Sequence, residues 1–158
     1  MSRTGAPPQG CIFCEAPATD DPASLVVFDG VTGFVILNLF PYNSGHLMVV
    51  PKRHVGALAD LSAPELTELM RLTRRAEMAL TEAYRPQGLN VGINLGRPAG
   101  AGVLDHVHVH IVPRWTGDTN FMSVVGDVRV LPEELGDTAR RLRPIFARLE
   151  ADDGLAAG

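Results

Sequence analysis

The sequence predicts an α+β fold: a single domain with an antiparallel sheet and two main helices. Three observations point to it. Several short β-rich runs follow one another with compact turns, as in an antiparallel meander, where a hairpin suffices to join neighbours. Two longer segments, 62–84 and 132–149, space their apolar residues at the helical period. Between them lies Asp105-His106-Val107-His108-Val109-His110-Ile111-Val112-Pro113, whose strict alternation marks a half-buried strand.

The first strand-like run is Leu25–Asp29, joined through Gly30–Gly33 to a second, Phe34–Asn38, in a plausible hairpin. Turn residues Pro41, Asn43, Ser44 and Gly45 separate these from a third, His46–Pro51. Ser62-Ala63-Pro64-Glu65 has the spacing of a capping box, in which Ser62 caps and Glu65 reaches back. Leu66, Leu69, Ala76, Leu80 and Ala83, with the methionines among them, then form a core stripe, and Glu68, Arg71, Arg75 and Glu82 belong to the wet face. The helix should run to about Tyr84 and stop before Pro86.

Leu89–Leu95 reads as a fourth strand, and the Gly-rich loop 96–102 leads into the histidine strand, which Pro113 should end. Backbone amides of that loop, with Arg97, are suited to an anion, although a strand rather than a helix follows, so it is no dinucleotide fingerprint. A further short strand is expected at 124–130, then the second helix with Leu135, Leu142, Ile145, Phe146 and Leu149 on one side, kinked or interrupted by Pro144. Residues 1–10 and 151–158 are expected to be flexible tails around a single domain spanning 11–150.

Bulk properties narrow the function. Hydrophobic residues make up 46% of the chain and charged ones 20%, the balance of an ordinary soluble domain with its own core. A net charge of −4 argues against non-specific binding to nucleic acid or a membrane surface. No apolar run approaches a membrane span, and the first ten residues lack the apolar segment of a secretory signal, so a cytoplasmic location is expected. In a reducing compartment Cys11-x-x-Cys14 suggests metal binding or redox work rather than a structural disulfide, and with no strand before it and no helix after it, metal is preferred.

The histidine strand carries the chemistry. Val107, Val109 and Ile111 should enter the core, and His106, His108 and His110, three of the chain's five histidines, should share the other face about 7 Å apart. One such histidine is usually just a satisfied core or surface residue; three side by side each need partners, and charging them together costs Coulomb repulsion. Two chemistries suit the row: a metal site, or one imidazole attacking while its neighbours hold an anion. Cys11, Cys14 and His54 supply three potential zinc ligands, and one imidazole of the row would complete a closed Cys2His2 set.

At this point the chain resembles the histidine triad (HIT) family of nucleotide hydrolases and transferases. The resemblance rests on His106-Val107-His108-Val109-His110-Ile111-Val112, on Asn38 eight residues ahead of His46, and on Gly45-His46 leading into Leu47–Pro51. It spans about residues 10–122. Asn38–Asn43, Pro113-Arg114-Trp115 and Gly117–Phe121 are most similar to the bacterial diadenosine tetraphosphate phosphorylase and hydrolase branch. The resemblance implies a five-stranded antiparallel sheet with helices, a homodimer, and a nucleotide substrate, with no organic cofactor. It implies His108 as the nucleophile, His110 and His46 as its catalytic support, and structural zinc on Cys11, Cys14, His54 and His106. It further implies Asn38 at the ribose hydroxyls and Asn94 at phosphate, with Phe28 and Ile36 in the base pocket. Gly102 and Val103 stand where many members carry Gln followed by Ser or Thr, which removes side-chain contacts to the phosphate or leaving group.

Enzymatic cleavage of dinucleoside polyphosphates or nucleoside phosphoramidates is therefore expected. Two other readings compete with it: a nucleotide-binding regulator with vestigial catalysis, and a hydrolase in which zinc activates water at the row.

Overall fold

The computed structural model describes residues 10–16, 21–103, 105–118 and 133–156. The strand expected at 124–130, the Thr119–Phe121 part of the family motif, residues 1–9 of the N-terminal tail and the last two residues of the C-terminal one lie outside the described residues. Five strands are described, β1 (Val26–Asp29), β2 (Gly33–Leu37), β3 (Leu47–Pro51), β4 (Gly88–Ile93) and β5 (Val109–Arg114), with helices α1 (Ala63–Tyr84) and α2 (Leu135–Ala156). The strands form one sheet in the order β1-β2-β3-β5-β4, antiparallel at every pairing, as expected.

Alternation divides the sheet into two faces. Val35, Leu37, Leu47, Val49, Val109 and Ile111 are buried with Leu69, Leu72, Ala76 and Leu80 of α1 and Leu142 and Phe146 of α2. Phe34, Ile36, Met48 and Val50 point the other way and are covered by the turn that carries Cys11 and Phe13. The first face is a helix-packed core, and the second carries the histidines.

α1 follows its local signals. Ser62 accepts from the Glu65 amide while the Glu65 carboxylate accepts from the Ser62 amide, the two halves of a capping box. Arg85 closes the helix in the left-handed region (φ 46°) one residue before Pro86. The core stripe is narrower than expected: Leu66, Met70 and Met78 are exposed. From Leu69 outward, Met70 and Met78 stand roughly 100° and 180° around the axis, off the buried arc of Leu69, Leu72, Thr73, Ala76 and Leu80.

Glu68, expected on the wet face, instead reaches the β1–β2 turn. Its carboxylate accepts from the Val31 amide (2.8 Å) and from the Thr32 amide and hydroxyl. Burial alone would raise its pKa, but the hydrogen bonds from Thr32, Val31 and Gly33 together hold it below the usual carboxylate value. Glu68→Ala is expected to cost about 1–3 kcal/mol in a urea melt, and Glu77→Ala, on the exposed side of α1, less than about 0.5 kcal/mol.

α2 runs without interruption through Pro144 and continues to Ala156, beyond the point where a frayed tail was expected. Asp153 in its last turns accepts from Arg75 (2.8 Å) and Arg74 (3.2 Å) of α1, which ties that end down.

β5 starts later than the alternation suggests, at Val109 rather than His106, and ends at Arg114 rather than Pro113. The ladder with β3 begins only at Val49–Val109, because the Pro51 carbonyl is taken by the His106 ring and the Val107 amide by the Val55 carbonyl. Past Ile111 β5 pairs, among the described residues, only with β4, and the Pro113 carbonyl is met by the Asn43 side chain, so the missing Pro113 N–H breaks no described ladder bond.

Candidate functional site

His106, His108 and His110 face away from the helices, as the alternation requires, and Val107, Val109 and Ile111 are buried beneath them. His106 and His108 are themselves buried, and His110 is half-buried. The three do not act as one cluster. His106 turns towards the cysteines, while His108 and His110 join His46.

Cys11, Cys14, His54 and His106 each offer one ligand atom, all within 4.8 Å of one another. Cys11 Sγ lies 3.3 Å from His106 Nδ1, and Cys14 Sγ lies 3.4 Å from His54 Nδ1 and 3.6 Å from His106 Nδ1. With usual zinc bond lengths, a tetrahedral site has S···N edges of about 3.6 Å. The His106 Nε2–H donates to the Pro51 carbonyl at 2.7 Å, which leaves Nδ1 as the lone-pair nitrogen facing the sulfurs. Burial, and then Cys11 beside it, push the Cys14 thiol up to about 11, so two thiolates here require a cation. The donor set fits a closed four-ligand metal centre.

The other histidines form a chain whose ends are fixed by backbone groups. The Tyr42 amide donates to His46 Nδ1 (3.1 Å), so the His46 proton is on Nε2. His46 Nε2 lies 2.9 Å from His110 Nδ1, and His110 Nε2 lies 3.1 Å from His108 Nε2. At the far end His108 Nδ1 lies 2.9 Å from the His106 carbonyl and can only donate to it. Three neutral imidazoles satisfy this chain in one way. His46 donates to His110, His110 donates to His108 Nε2, and His108 donates to the backbone. Burial holds His108 below the usual imidazole range, and burial followed by the charge of His108 pushes His110 down to about 4, so the neutral chain is the favoured state.

Local structure places these rings. Gly45 adopts φ 81°, and a Cβ there would meet Leu80 at 3.0 Å and Tyr84 at 3.1 Å, so the loop before His46 packs directly on α1. Phe13, between the two cysteines, sets its ring 5.3 Å from that of His106 and 5.0 Å from that of His108. Tyr42 lies over His46 with ring centroids 4.7 Å apart. Neither aromatic was singled out from the sequence. The position of Phe13 inside Cys11-x-x-Cys14 was the available signal for the first, and the place of Tyr42 in the Asn38–Asn43 stretch that carries part of the resemblance was the signal for the second.

The remaining expected residues are distributed unevenly. The Asn38 side chain accepts from the Phe40 amide (2.9 Å), and its nitrogen lies 3.4 Å from the protonated His46 Nε2, a contact between two donors. Its N–H groups therefore have no acceptor among the described residues. Ile36 is on the histidine face, beside Met48, which in turn is beside His110. Asn94 lines a groove of about 270 Å³ with His110, Tyr42, Asn90 and Gly92. Gly102 is exposed and Val103 packs against the cluster under the histidine face.

Phe28 is a correction. It is buried on the helix face, stacked on Phe146 at 5.8 Å, because a bulge between Val26 and Phe28 reverses the alternation of β1. The larger cavity of about 450 Å³, near Ser44, Tyr84, Trp115 and Glu133, touches no histidine of the row.

A family profile described as the HIT domain matches residues 20–117. The chain is 48% identical over 136 residues to an AP-4-A phosphorylase of Mycobacterium tuberculosis, covering 86% of this chain and 70% of that protein. It is 32% identical over 129 residues to a bis(5'-adenosyl)-triphosphatase of Dictyostelium discoideum, covering 78% and 86%. Among solved structures, a Zn-bound histidine triad family protein from Mycobacterium smegmatis superposes with a TM-score of 0.69 at 29% identity, over 90% of this chain and 97% of that one.

Proposed function

Since the chain belongs to the HIT domain family, we propose that it is a nucleotidyl hydrolase or transferase cleaving the α-phosphate linkage of dinucleoside polyphosphates such as diadenosine tetraphosphate. The observation that carries the reading is the state of His108: Nδ1–H is committed to the His106 carbonyl, which leaves Nε2 with the lone pair. Nε2 attacks the α-phosphorus in line. An N–P bond forms, and the P–O bond to the remaining polyphosphate breaks with its electron pair going to the leaving oxygen. Water or inorganic phosphate then displaces His108 and loses its proton to solvent. The His110 N–H, which holds the His108 lone pair at rest, is then the donor nearest the phosphoryl oxygens, with His46 fixing its orientation. Asn38 serves the ribose hydroxyls and Ile36 the adenine side. Asn94 serves phosphate, with the backbone at Gly102 and Val103.

Zinc is assigned to Cys11, Cys14, His54 and His106, where it would supply folding energy and hold His106 in place. Four protein ligands would fill the coordination of a bound zinc, which would then be structural, and the chemical steps are assigned to the histidine chain. A homodimer is assigned to the edge of β4, which pairs only with β5 among the described residues, where Val91 is 52% exposed and a second copy would extend the sheet. Two unpaired thiols suit a reducing cytoplasm, and no described helix is long and apolar enough to cross a membrane.

The test is turnover of diadenosine tetraphosphate with and without inorganic phosphate. ADP and ATP formed only with phosphate mark a phosphorylase, and AMP and ATP without it a hydrolase. If neither this substrate nor adenosine 5′-phosphoramidate turns over, the enzyme reading fails and a nucleotide-binding regulator takes its place.

A further inference from the structure

The groove beside His110 has a shape that the reaction at His108 does not by itself require. In the sheet, Gly92 of β4 lies directly across from His110 and Asn90 across from Val112. Among the described residues a Cβ built on Gly92 meets nothing within 4 Å, so the lack of a side chain there keeps space open next to the catalytic ring. The groove, about 270 Å³, sits at the small end of ligand pockets, enough for part of a dinucleotide and not the whole. Its far end is built. Asp118 accepts twice from Arg114 (2.7 and 2.9 Å), and Arg114 donates to Asn90 Oδ1 at 3.0 Å, which fixes the Asn90 amide with its nitrogen as the remaining donor. Tyr42, 55% exposed, forms an aromatic wall close to the His110 ring, with centroids 6.5 Å apart.

The two sides of His110 thus differ. Towards β3 and β2 its neighbours are apolar and buried, Met48 and Ile36 under the turn that carries Cys11 and Phe13. Towards β4 the surface offers amide donors and an aromatic ring. Building on the proposed cleavage reaction, we infer that the groove over β4 holds the leaving half of the substrate, a nucleoside polyphosphate, and that Gly92 determines whether substrates with a long leaving group are accepted. Phosphate oxygens of the leaving group face the Asn90 and Asn94 amides, and its base lies against Tyr42, a sequence-tolerant contact since every base has a π-face.

The experiment compares kcat/KM for diadenosine tetraphosphate with kcat/KM for adenosine 5′-phosphoramidate, whose leaving group is only ammonia, in wild type, Gly92→Leu and Tyr42→Ala. The ratio of the two is expected to fall at least about 20-fold in Gly92→Leu and about tenfold in Tyr42→Ala, mainly through KM for the dinucleotide. Tyr42→Ala keeps the backbone amide that binds His46 and alters an exposed side chain, so it reports even if Gly92→Leu folds poorly. A ratio within about threefold of wild type in Tyr42→Ala and in any folded Gly92→Leu overturns the inference, including the case where both substrates lose equally. Failure of the underlying reading looks different, since wild type would then turn over neither substrate and the inference would fall with it.

Discussion

His108→Ala is expected to lower kcat/KM on diadenosine tetraphosphate by about 10⁴-fold or more, close to 5.5 kcal/mol of transition-state stabilisation. The magnitude follows from the role. With the ring gone no N–P bond can form, and the remaining donors can only bind the nucleotide. The substitution also leaves the buried His106 carbonyl without its donor, at a cost of about 1–3 kcal/mol in stability, so His108→Asn is the companion variant that returns a short polar side chain. Rapid quenching of wild type with substrate should trap an adduct of nucleotide mass on the protein, and neither variant should give one. An active His108→Ala would remove the covalent mechanism and favour attack by water. The pH profile supplies a second readout. Burial lowers His108, and burial followed by the His108 charge brings His110 to about 4, so both stay neutral as acid is added. The acid limb of the rate should therefore lie below that of a free imidazole, whereas a limb centred near 6.5 would mean an ordinary exposed imidazole.

The parts of this architecture that were legible in the sequence are those decided locally. Ser62, Glu65 and Pro86 bracket α1 because capping and the pre-proline restriction act within a few residues. The inward Val107, Val109 and Ile111 and the outward histidines follow from alternation alone. What alternation misses is decided by partners far along the chain. Counting from Val26 by twos puts Phe28 on the histidine face, and only the pairing with β2 introduces the bulge that turns it to Phe146. Similarly, β5 begins at Val109 because the Pro51 carbonyl and the Val107 amide find partners outside the ladder. Glu68 has the spacing of a solvent-facing residue, and its clamp on the Val31–Thr32 turn exists only once α1 is packed beside β1 and β2. The division of the histidine row into a metal ligand and a catalytic chain was implied by the family resemblance. The spacing itself allowed any of the three to complete the Cys11, Cys14 and His54 set.

Removing the metal is the second large perturbation, and its expected signature separates structure from chemistry. A strong chelator, or Cys14→Ser, should release about one zinc per chain and lower stability by roughly 3 kcal/mol or more, some 6–12 °C in Tm for a domain of this size. The loss stops short of complete unfolding because the helix-face core of Val35, Val49, Ile111, Leu80 and Phe146 does not depend on the site. It remains large because the Cys11–Cys14 turn is what covers the histidine face through Phe13. Catalysis should decline with the fold rather than ahead of it. His106 contributes its ring to the metal site and its carbonyl to His108 Nδ1, so loosening His106 blurs the orientation of the nucleophile without removing it. Metal analysis, thermal melts and initial rates on the same chelated samples give the order of events. A rate that vanishes while Tm holds would make the metal catalytic, and no change in either would mean that the four side chains are a hydrogen-bonded cluster of thiols and imidazoles.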